Sequence, residues 1–384
     1  MTKKSDAPAI RFKGFSDAWE QRKVSELFRV TRGYVLAATQ TETTKTDEKP
    51  YPVYSSQTKD KGLMGYYKDY LYEDAITWTT DGANAGTVNY RAGKFYCTNV
   101  CGVLLSNEVK ANQMIAEALN SVAKGYVSYV GNPKLMNNVM ADIVIQIPTQ
   151  AEEREQLSSF FAKLDNLIAL HQRKFEKLTN VKKSMLEKMF PQNGSSYPEI
   201  RFKGFTDPWE QRKFEEIAVR SSVICSDDTL PRVEYEDIVS GTGRLNKDIY
   251  AKQSIKSGIA FHQGDVLYGK LRPYLQNWLL PTFDGLAVGD FWVLQPQNAD
   301  SSFLYRLIQS RQFDEVANQS TGTKMPRADW KLVSKTVFSI PSNISEQTAI
   351  GTYFTALDSL ITLHQRELEK LQNIKKSMLE KMFV

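Results

Sequence analysis

The sequence predicts an α+β protein in which two tandem globular α/β domains are separated by two long helices forming an antiparallel coiled coil. Two internal repeats lead to this prediction. A helical stretch at 157–190 returns at 350–383, 193 residues later, and a short motif at 10–23 returns at 200–213. The segments between the repeats share an outline but not a sequence. The chain is therefore predicted to be two diverged copies of one unit.

The short motif reads IRFKGFSDAWEQRK in the first copy and IRFKGFTDPWEQRK in the second, with two differences. Asp17 and Asp207, each followed by Glu three residues later, predict a helix N-terminus, and Pro208 would stand at the first helical position. Trp19 and Trp209 are expected in the domain cores. Docking of a partner is the alternative for both.

Short strands and turns dominate the segment that follows the first motif, about 24–146. Residues 75–80 and 87–90 are rich in β-formers and flank the turn-forming sequence DGANAG, which predicts a hairpin. Further strands are expected at 100–105 and 143–147, and one helix at 112–123.

The segment after the second motif, about 214–339, has a similar outline. Strands are expected at 264–270 and 291–294, and a helix at 303–312. The offset of 193 residues also brings Pro133 onto Pro326 and Pro148 onto Pro341. The ends of the two segments are therefore predicted to share an architecture.

The long helices carry apolar residues at alternating spacings of four and three, which is typical of a coiled-coil seam. Because the second helix must return towards the first segment, antiparallel pairing is expected. Lys182 and Lys375 occupy seam positions and are expected to extend their ammonium groups out of the seam. The predicted seam residues are Leu164, Ile168, His171, Phe175, Leu178, Leu357, Ile361, His364, Leu368 and Leu371.

The two seam histidines, His171 and His364, stand at equivalent positions among aliphatic neighbours. A polar residue that fixes the helix register is the favoured interpretation. A metal site or a pH switch is the alternative.

Domain boundaries follow from these repeats. The first globular domain should span 1–155, including the motif at 10–23, and the first long helix 156–190. The second domain should span 191–345, including a turn-rich linker at 191–199 and the motif at 200–213. The second long helix should span 346–384.

Composition excludes several classes of protein. The 384 residues carry a net charge of +5 with ordinary apolar and charged fractions. Residues 24–150 carry 12 cationic and 12 anionic side chains, and 214–348 carry 14 and 16, so the basic excess is elsewhere. The three cysteines have no metal-ligand spacing, and no apolar run is long enough for a membrane span. A cytoplasmic, reduced protein is expected.

Catalytic motifs are not visible in the sequence. It contains neither the phosphate loop GxxxxGK[ST] nor the zinc motif HExxH, and its three histidines are far apart. A non-catalytic protein without a cofactor or a metal of its own is predicted.

The chain closely resembles the specificity subunit of type I restriction-modification systems along essentially its whole length. The most specific marks are the paired LDxLIxLHQR and KKSMLEKMF stretches, the FKGFxDxWEQRK motifs, LYGKLRPYL at 267–275 and TGTKMPRADW at 321–330. The resemblance implies two target recognition domains, each reading one half of a bipartite DNA site, with the coiled coil fixing the gap. It further implies docking of two methyltransferase subunits, which would use S-adenosylmethionine, and of endonuclease subunits through them.

Candidate DNA contacts in the first domain are polar side chains on predicted loops. Hydroxyl, amide and cationic groups can read base edges or hold phosphates, and the sequence leaves this choice open. A plain turn is the alternative for DGANAG. The candidates are Ser55, Ser56, Gln57, Lys59, Lys61, Thr79, Thr80, Asn84, Lys134, Asn137 and Asn138.

Candidates in the second domain lie on two stretches. The first is expected to continue the strand at 264–270, with Pro273 keeping the chain extended; the second is a loop containing glycine. A surface strand and loop without DNA contact is the alternative. The candidates are Lys270, Arg272, Tyr274, Gln276, Asn277, Thr321, Thr323, Lys324 and Arg327.

A function from another class is also compatible with these patterns. Two diverged domains on a helical rod could bind proteins instead of DNA, and the near-neutral charge of both globular segments favours such a tether.

Overall fold

The computed structural model describes residues 8–56, 59–192, 194–251, 254–319 and 325–383. The chain divides into two compact units. The first unit comprises Met1–Gln172 and Arg366–Val384, and the second Arg173–Gln365. The first unit thus combines a globular segment with the start of the first long helix and the end of the second. The second unit combines a globular segment with the end of the first long helix and the start of the second. The predicted α+β class with two tandem domains and two long helices is confirmed.

In the first unit a six-stranded sheet forms the centre, in the order β2-β7-β5-β6-β3-β4. Neighbours are antiparallel except β3 and β6, which are parallel. A separate ribbon pairs β1 with β8. The elements are β1 (Trp19–Lys23), α1 (Val24–Leu27), β2 (Phe28–Arg32), β3 (Tyr51–Tyr54), β4 (Leu63–Tyr67), β5 (Tyr72–Thr79), β6 (Val88–Cys97), β7 (Cys101–Ser106), α2 (Gln113–Val122), α3 (Asn137–Asp142), β8 (Val144–Pro148) and α4 (Ala151–Lys188).

The second unit distributes its strands over two four-stranded sheets, ordered β10-β19-β16-β17 and β11-β15-β18-β12. Ribbons pair β13 with β14 and β9 with β20. The elements are β9 (Glu210–Lys213), α5 (Phe214–Ile217), β10 (Ala218–Ser221), β11 (Ile224–Cys225), β12 (Arg232–Val233), β13 (Ile238–Val239), β14 (Arg244–Leu245), β15 (Gly258–Phe261), β16 (Val266–Gly269), β17 (Trp278–Leu279), β18 (Gly285–Ala287), β19 (Phe291–Pro296), α6 (Ser301–Leu307), α7 (Arg311–Ala317), α8 (Trp330–Lys335), β20 (Val337–Ile340) and α9 (Ile344–Met382).

Each short motif is fastened to the start of a long helix by a buried carboxylate. In the first unit Arg11 donates two hydrogen bonds of 2.7 Å to Glu153, and the indole of Trp19 donates a third of 3.4 Å. Arg201, Trp209 and Glu346 repeat this arrangement in the second unit. The two tryptophans are 4% and 2% exposed, so their predicted core positions are confirmed.

The last residues of each helical repeat complete a core. Phe383 packs on Trp19 and Phe161 in the first unit, with ring centroids 5.7 and 6.0 Å apart. Phe190 packs on Trp209 at 6.0 Å in the second. The last phenylalanine of each helical repeat therefore packs on the tryptophan of one short motif.

The long helices begin earlier than predicted. The predicted helix at 156–190 is Ala151–Lys188, and that at 346–384 is Ile344–Met382. In the first unit Phe161 contacts Phe383, while Asp165 lies 2.6 Å from Lys375. Rising numbers on α4 thus meet falling numbers on α9, as expected for antiparallel packing.

The predicted helix in the WEQRK motif is wrong. Residues 19–23 form β1, antiparallel to β8, and the second copy forms β9 against β20. Asp17 accepts a hydrogen bond of 2.6 Å from Gln150. WEQRK carries a single apolar residue, which is too few for a helical apolar stripe, and its backbone finds partners in a neighbouring strand.

Two further predictions in the second unit need correction. The single helix at 303–312 is interrupted: α6 ends at Leu307 and α7 starts anew with Ser310 as its N-cap. The chain after Lys270 is not extended, because β16 ends at Gly269 and Pro273–Leu275 form a 3₁₀ turn. A proline fits an extended chain as well as the first turn of a helix. Pro273 alone therefore does not distinguish the two conformations.

Candidate nucleic-acid interface

Four predicted residues of the first unit line one cavity of about 230 Å³: Ser55, Lys61, Thr79 and Asn84. The cavity lies on the face of the six-stranded sheet that carries Thr77 and Thr79 of β5. The opposite face carries the alternate residues Ile76 and Trp78, which belong to the large apolar core. The sequence therefore brings these polar groups together on the sheet face that does not pack on the main core.

Two loops are tied together at this cavity. Asn84 of the hairpin turn donates 3.1 Å to the carbonyl of Ser56, and Thr98 donates 3.0 Å to the hydroxyl of Ser55. In the same turn Gly86 has φ +80°, and a Cβ there would lie 2.8 Å from Val127. DGANAG is thus a turn, as its alternative interpretation held, and it also forms part of the cavity wall.

Arg91 of β6, which the sequence prediction missed, lies in the same cavity. It is 7% exposed, and its guanidinium lies 3.7 Å from the ring centroid of Tyr54. Nε donates 3.0 Å to Thr77 and Nη2 donates 2.6 Å to the carbonyl of Lys61. Burial lowers the pKa of Arg91, because desolvation disfavours its charged form. An inward-facing arginine in a strand leaves no local motif by which to find it.

A cysteine also contributes to the wall of this cavity. Cys101 is buried, and burial raises the pKa of its thiol to about 11. Cys97 is buried beside it, and burial raises its pKa as well. Both thiols are therefore neutral at physiological pH and supply no negative charge to Arg91.

The remaining candidates of the first unit are not among the cavity-lining residues. Thr80 donates 2.7 Å to Asp81, and Lys134 lies 3.8 Å from the same carboxylate. Asn137 donates 3.5 Å to the carbonyl of Thr31 at the end of β2, and Asn138 is exposed. The two further candidates, Gln57 and the side chain of Lys59, lie outside the described part of the chain.

In the second unit two predicted cations converge on one carboxylate. Arg327 donates 3.1 Å to Asp290, and Lys270 lies 3.5 Å from its other oxygen. Burial opposes ionisation of Asp290, but the hydrogen bond and charge of Arg327, with the charge of Lys270, outweigh it and lower its pKa. The cations are therefore held in place and partly neutralised.

A compact loop at 270–277 carries the other candidates of the second unit. Arg272 and Gln276 adopt left-handed conformations with φ 49° and 54°. Tyr274 between them is 56% exposed, whereas Asn277 is buried. The backbone of Arg272 donates 2.7 Å to the carbonyl of Pro326. The loop thus presents Tyr274 outwards; Thr321, Thr323 and Lys324 lie outside the described residues.

The predicted seam residues all lie on the covered sides of the helices. Leu164, Leu357 and Leu368 are buried; the other seven are half-buried, His171 and His364 among them. The register and switch interpretations of the histidines remain predictions.

The two seam lysines do not extend outwards as predicted. Lys375 lies 2.6 Å from Asp165 and 2.6 Å from Glu117 of α2. Lys182 lies 2.7 Å from Asp358, which also accepts from Arg306 of α6 at 2.7 Å. Partly buried cations next to carboxylates gain more from pairing than from partial hydration.

Each unit carries a shallow groove on its long-helix surface, and the two grooves are equivalent in sequence. The groove of the first unit measures about 540 Å³ and that of the second about 530 Å³. Their linings correspond residue by residue at an offset of 193, with Ile374 in place of Val181 as the single difference. The lining residues are Arg173, Glu176, Lys177, Asn180, Val181, Ser184 and Met185, and Arg366, Glu369, Lys370, Asn373, Ile374, Ser377 and Met378.

Membrane-spanning helices and clusters of metal-binding side chains are absent from the described residues. No helix among them is both long and apolar enough to cross a membrane. Within the same ranges, no group of three or more His, Cys, Asp or Glu side chains is arranged to hold a metal ion.

Curated relatives are type I specificity subunits. The chain is 21% identical over 394 residues to the type I restriction enzyme MjaVIII specificity subunit of Methanocaldococcus jannaschii, covering 94% of this chain and 91% of the relative. A Mycoplasma pneumoniae protein provisionally described as the N-terminus of a type I specificity subunit is 37% identical over 131 residues, which are 33% of this chain and 68% of that protein. Two further M. pneumoniae relatives are matched over only 39% and 40% of their length.

The fold agrees with a solved structure. The crystal structure of a type I restriction-modification system S subunit from M. genitalium superposes with a TM-score of 0.71 at 14% identity, covering 98% of this chain and 99% of that chain. The family model described as "Type I restriction modification DNA specificity domain" matches residues 16–180 and 208–373, which is most of the chain. The chain therefore belongs to the type I restriction-modification DNA specificity family.

Proposed function

We propose that this chain is the non-catalytic DNA-specificity subunit of a type I restriction-modification complex, in which each domain reads one half of a bipartite asymmetric site. The observation that carries the proposal is the tandem match of a DNA specificity domain, once at 16–180 and once at 208–373. Each match covers one globular segment with its own cluster of polar and cationic side chains. The chain directs modification and cleavage; partner subunits perform them.

The difference between the two clusters supports reading of two unlike half-sites. The first unit offers hydroxyl and amide groups around a cavity with Arg91. The second offers Lys270 and Arg327 around Asp290, and the exposed Tyr274. Different donors on different loops recognise different sequences.

The proposed recognition domains are those of the sequence, 1–155 and 191–345, while the long helices have the observed bounds Ala151–Lys188 and Ile344–Met382 in place of 156–190 and 346–384. The observed helices contain 38 and 39 residues, which corresponds to roughly 57 Å at 1.5 Å per residue. One turn of B-DNA is about 34 Å. We infer that these helices set the unread spacer between the half-sites.

Two methyltransferase subunits are the proposed partners of the helices. Two grooves with nearly identical linings, one in each unit, favour two copies of one partner. S-adenosylmethionine would be bound by those subunits, and endonuclease subunits would attach through them. A complex acting on chromosomal DNA would work in the cytoplasm of a bacterium or archaeon.

The alternative, a tether that presents two protein-binding domains, rests on the near-neutral charge of the globular segments. The family match favours DNA instead, because both matched regions are described as DNA specificity domains. A gel-shift experiment with the assembled methyltransferase complex separates the two functions: sequence-specific retention of a duplex supports the proposal, and its absence supports the tether.

Exchange of residues 24–146 for the same segment of another such subunit tests whether each domain reads its own half-site. Methylome sequencing of cells carrying the exchanged complex should show one half-site altered and the other unchanged. Alteration of both half-sites, or of neither, would contradict the assignment of one half-site to each domain.

A further inference from the structure

Arg91 is exceptional among the buried arginines of this protein. Three described arginines are buried: Arg91, Arg232 and Arg306. Arg232 lies 3.0 Å from Asp228, and Arg306 lies 2.7 Å from Asp358. No carboxylate among the described residues lies within ion-pair distance of Arg91. An unpaired buried charge is costly, so this position favours a negative group from outside the chain.

The guanidinium of Arg91 is already held by the protein on one edge. Its Nε and Nη2 donate to Thr77 and to the carbonyl of Lys61, and its face lies on Tyr54. An arginine that reads guanine usually presents two parallel N–H groups to O6 and N7. The Nε–Nη2 pair is not free for this, and Nη1 makes no hydrogen bond among those the structure describes. Arg91 is therefore arranged as a charge held in place by its neighbours, with Nε and Nη2 already engaged.

The surroundings of Arg91 are neutral hydrogen-bonding groups. Asn84, Asn89 and Thr87 line the same cavity, together with the protonated Cys101. The ammonium of Lys61 points elsewhere, since it pairs with Asp165 at 3.1 Å. A cavity of about 230 Å³ with one cation and several amides and hydroxyls suits a tetrahedral oxyanion.

We propose that the Arg91 cavity seats one backbone phosphate of the DNA read by the first unit. This inference rests on the proposed function. A phosphate projects from the duplex and can enter a cavity, whereas the edges of stacked bases remain inside the grooves. The contact positions the domain on its half-site and carries no sequence information of its own.

The salt dependence of DNA binding by the assembled methyltransferase complex tests this proposal. Arg91→Gln should lower the slope of log K against log salt by about 0.9, the effect of losing one phosphate contact. It should weaken specific and non-specific duplexes alike, by about tenfold or more for a charge-assisted hydrogen bond. Lys94→Gln is the matched control: Lys94 lies on the same strand, over Tyr70 at 4.6 Å and away from the cavity. Its slope should match that of the unaltered complex.

Duplexes carrying one neutral methylphosphonate each identify the phosphate. At one position the methylphosphonate should weaken DNA binding by the unaltered complex but not by the complex with Arg91→Gln. Absence of such a position, an unchanged slope, or a changed preference at one base pair would overturn the proposal. If Arg91→Gln does not assemble, Arg91→Lys replaces it, because lysine keeps the positive charge. The slope of log K against log salt should then match that of the unaltered complex, and a shallower slope for Arg91→Lys would contradict the phosphate contact. Failure of the unaltered complex to bind any specific sequence would instead refute the proposed function.

Discussion

At the scale of single residues, the buried carboxylates Glu153 and Glu346 hold each motif to its helix. Both are less than 2% exposed. Each accepts two hydrogen bonds from an arginine guanidinium and one from a tryptophan indole. In the first unit the hydrogen bond to Glu153 raises the pKa of Arg11, while burial opposes the rise. Removing the carboxylate charge would leave a partly buried arginine without its counter-ion.

Glu153→Gln should destabilise the attachment of the first motif by about 3 kcal/mol, the cost of breaking a buried ion pair. Hydrogen exchange of residues 10–23 in the full chain measures this as faster amide exchange. Glu152→Gln, at the exposed neighbouring position, should change exchange by less than about 0.5 kcal/mol. Equal effects of the two variants would show that the carboxylate contributes no more than a surface charge.

Asp290 predicts an acid-sensitive loop in the second unit. Because its pKa is lowered in the folded state, its stabilising contribution is complete above the ordinary carboxyl pKa of about 4 and is lost as pH falls through the folded value. Asp290→Asn should therefore flatten the dependence of stability on pH below about pH 4. It should also speed exchange of the 270–277 loop at neutral pH.

Urea titrations at several pH values measure this, with Asp69→Asn, an exposed change in the first unit, as control. A variant at Asp290 with the acid sensitivity of the unaltered chain would mean that the two cations do not depend on this carboxylate.

The sequence predicted some of the residues at this scale. Trp19 and Trp209 were placed in cores because a large apolar residue in a polar motif needs cover. Arg91 could not be found, because NYRAGK reads as a surface strand until β3 places Tyr54 beneath the guanidinium. That contact joins residues 37 positions apart, and no local pattern encodes it.

At the scale of elements, equivalent lysines of the two helices meet unlike partners. Burial lowers the pKa of Lys375, but Glu117 and Asp165 outweigh it and the pKa is raised. Burial lowers the pKa of Lys182, Arg306 adds to this, and Asp358 does not offset them. The globular segments thus contribute an anion to one helix pair and a cation to the other.

Lys375→Met should cost about 3 kcal/mol in the first unit, because it leaves the buried carboxylate of Glu117 without its paired cation, whereas Asp165 keeps Lys61 at 3.1 Å. Lys182→Met should cost about 1 kcal/mol or less, because Asp358 keeps Arg306 at 2.7 Å. Hydrogen exchange of α2 and α6 measures the two effects separately.

Lys376→Met and Lys183→Met, at the exposed neighbouring positions, are the controls. Equal costs for the two seam variants would show that the charge of the globular partner has no influence on helix attachment.

Elements were predicted where the pattern is long or the turn distinctive. The helical repeat and the hairpin around DGANAG are examples, since periodicity and turn residues act locally. The helix predicted for the WEQRK motif is wrong because its capping signals compete with a strand partner more than 100 residues away. Lys23, for example, pairs with Val144. The break at Ser310 was missed because its cap lies inside an otherwise continuous apolar pattern.

At the scale of the whole molecule, the two equivalent grooves predict the stoichiometry of the complex. Asn180 and Asn373 are exposed groove residues. Asn180→Trp alone should leave a complex with one methyltransferase, as should Asn373→Trp alone, and the double variant should retain none. Native mass spectrometry counts the subunits.

Thr179→Trp and Gln372→Trp are the matched controls, since these exposed neighbours lie outside the groove linings and differ between the repeats. Two bound methyltransferases on the double groove variant would contradict the assignment of the grooves.

The interleaving of the chain has a consequence for its synthesis. The first unit needs residues 366–383, because Met382 and Phe383 fill the core around Trp19 and Lys381 accepts a backbone hydrogen bond of 3.0 Å from Ala9. These residues leave the ribosome after the whole second unit. The part of the protein made first is therefore completed last, and an interrupted chain would expose an open apolar pocket to proteases and chaperones.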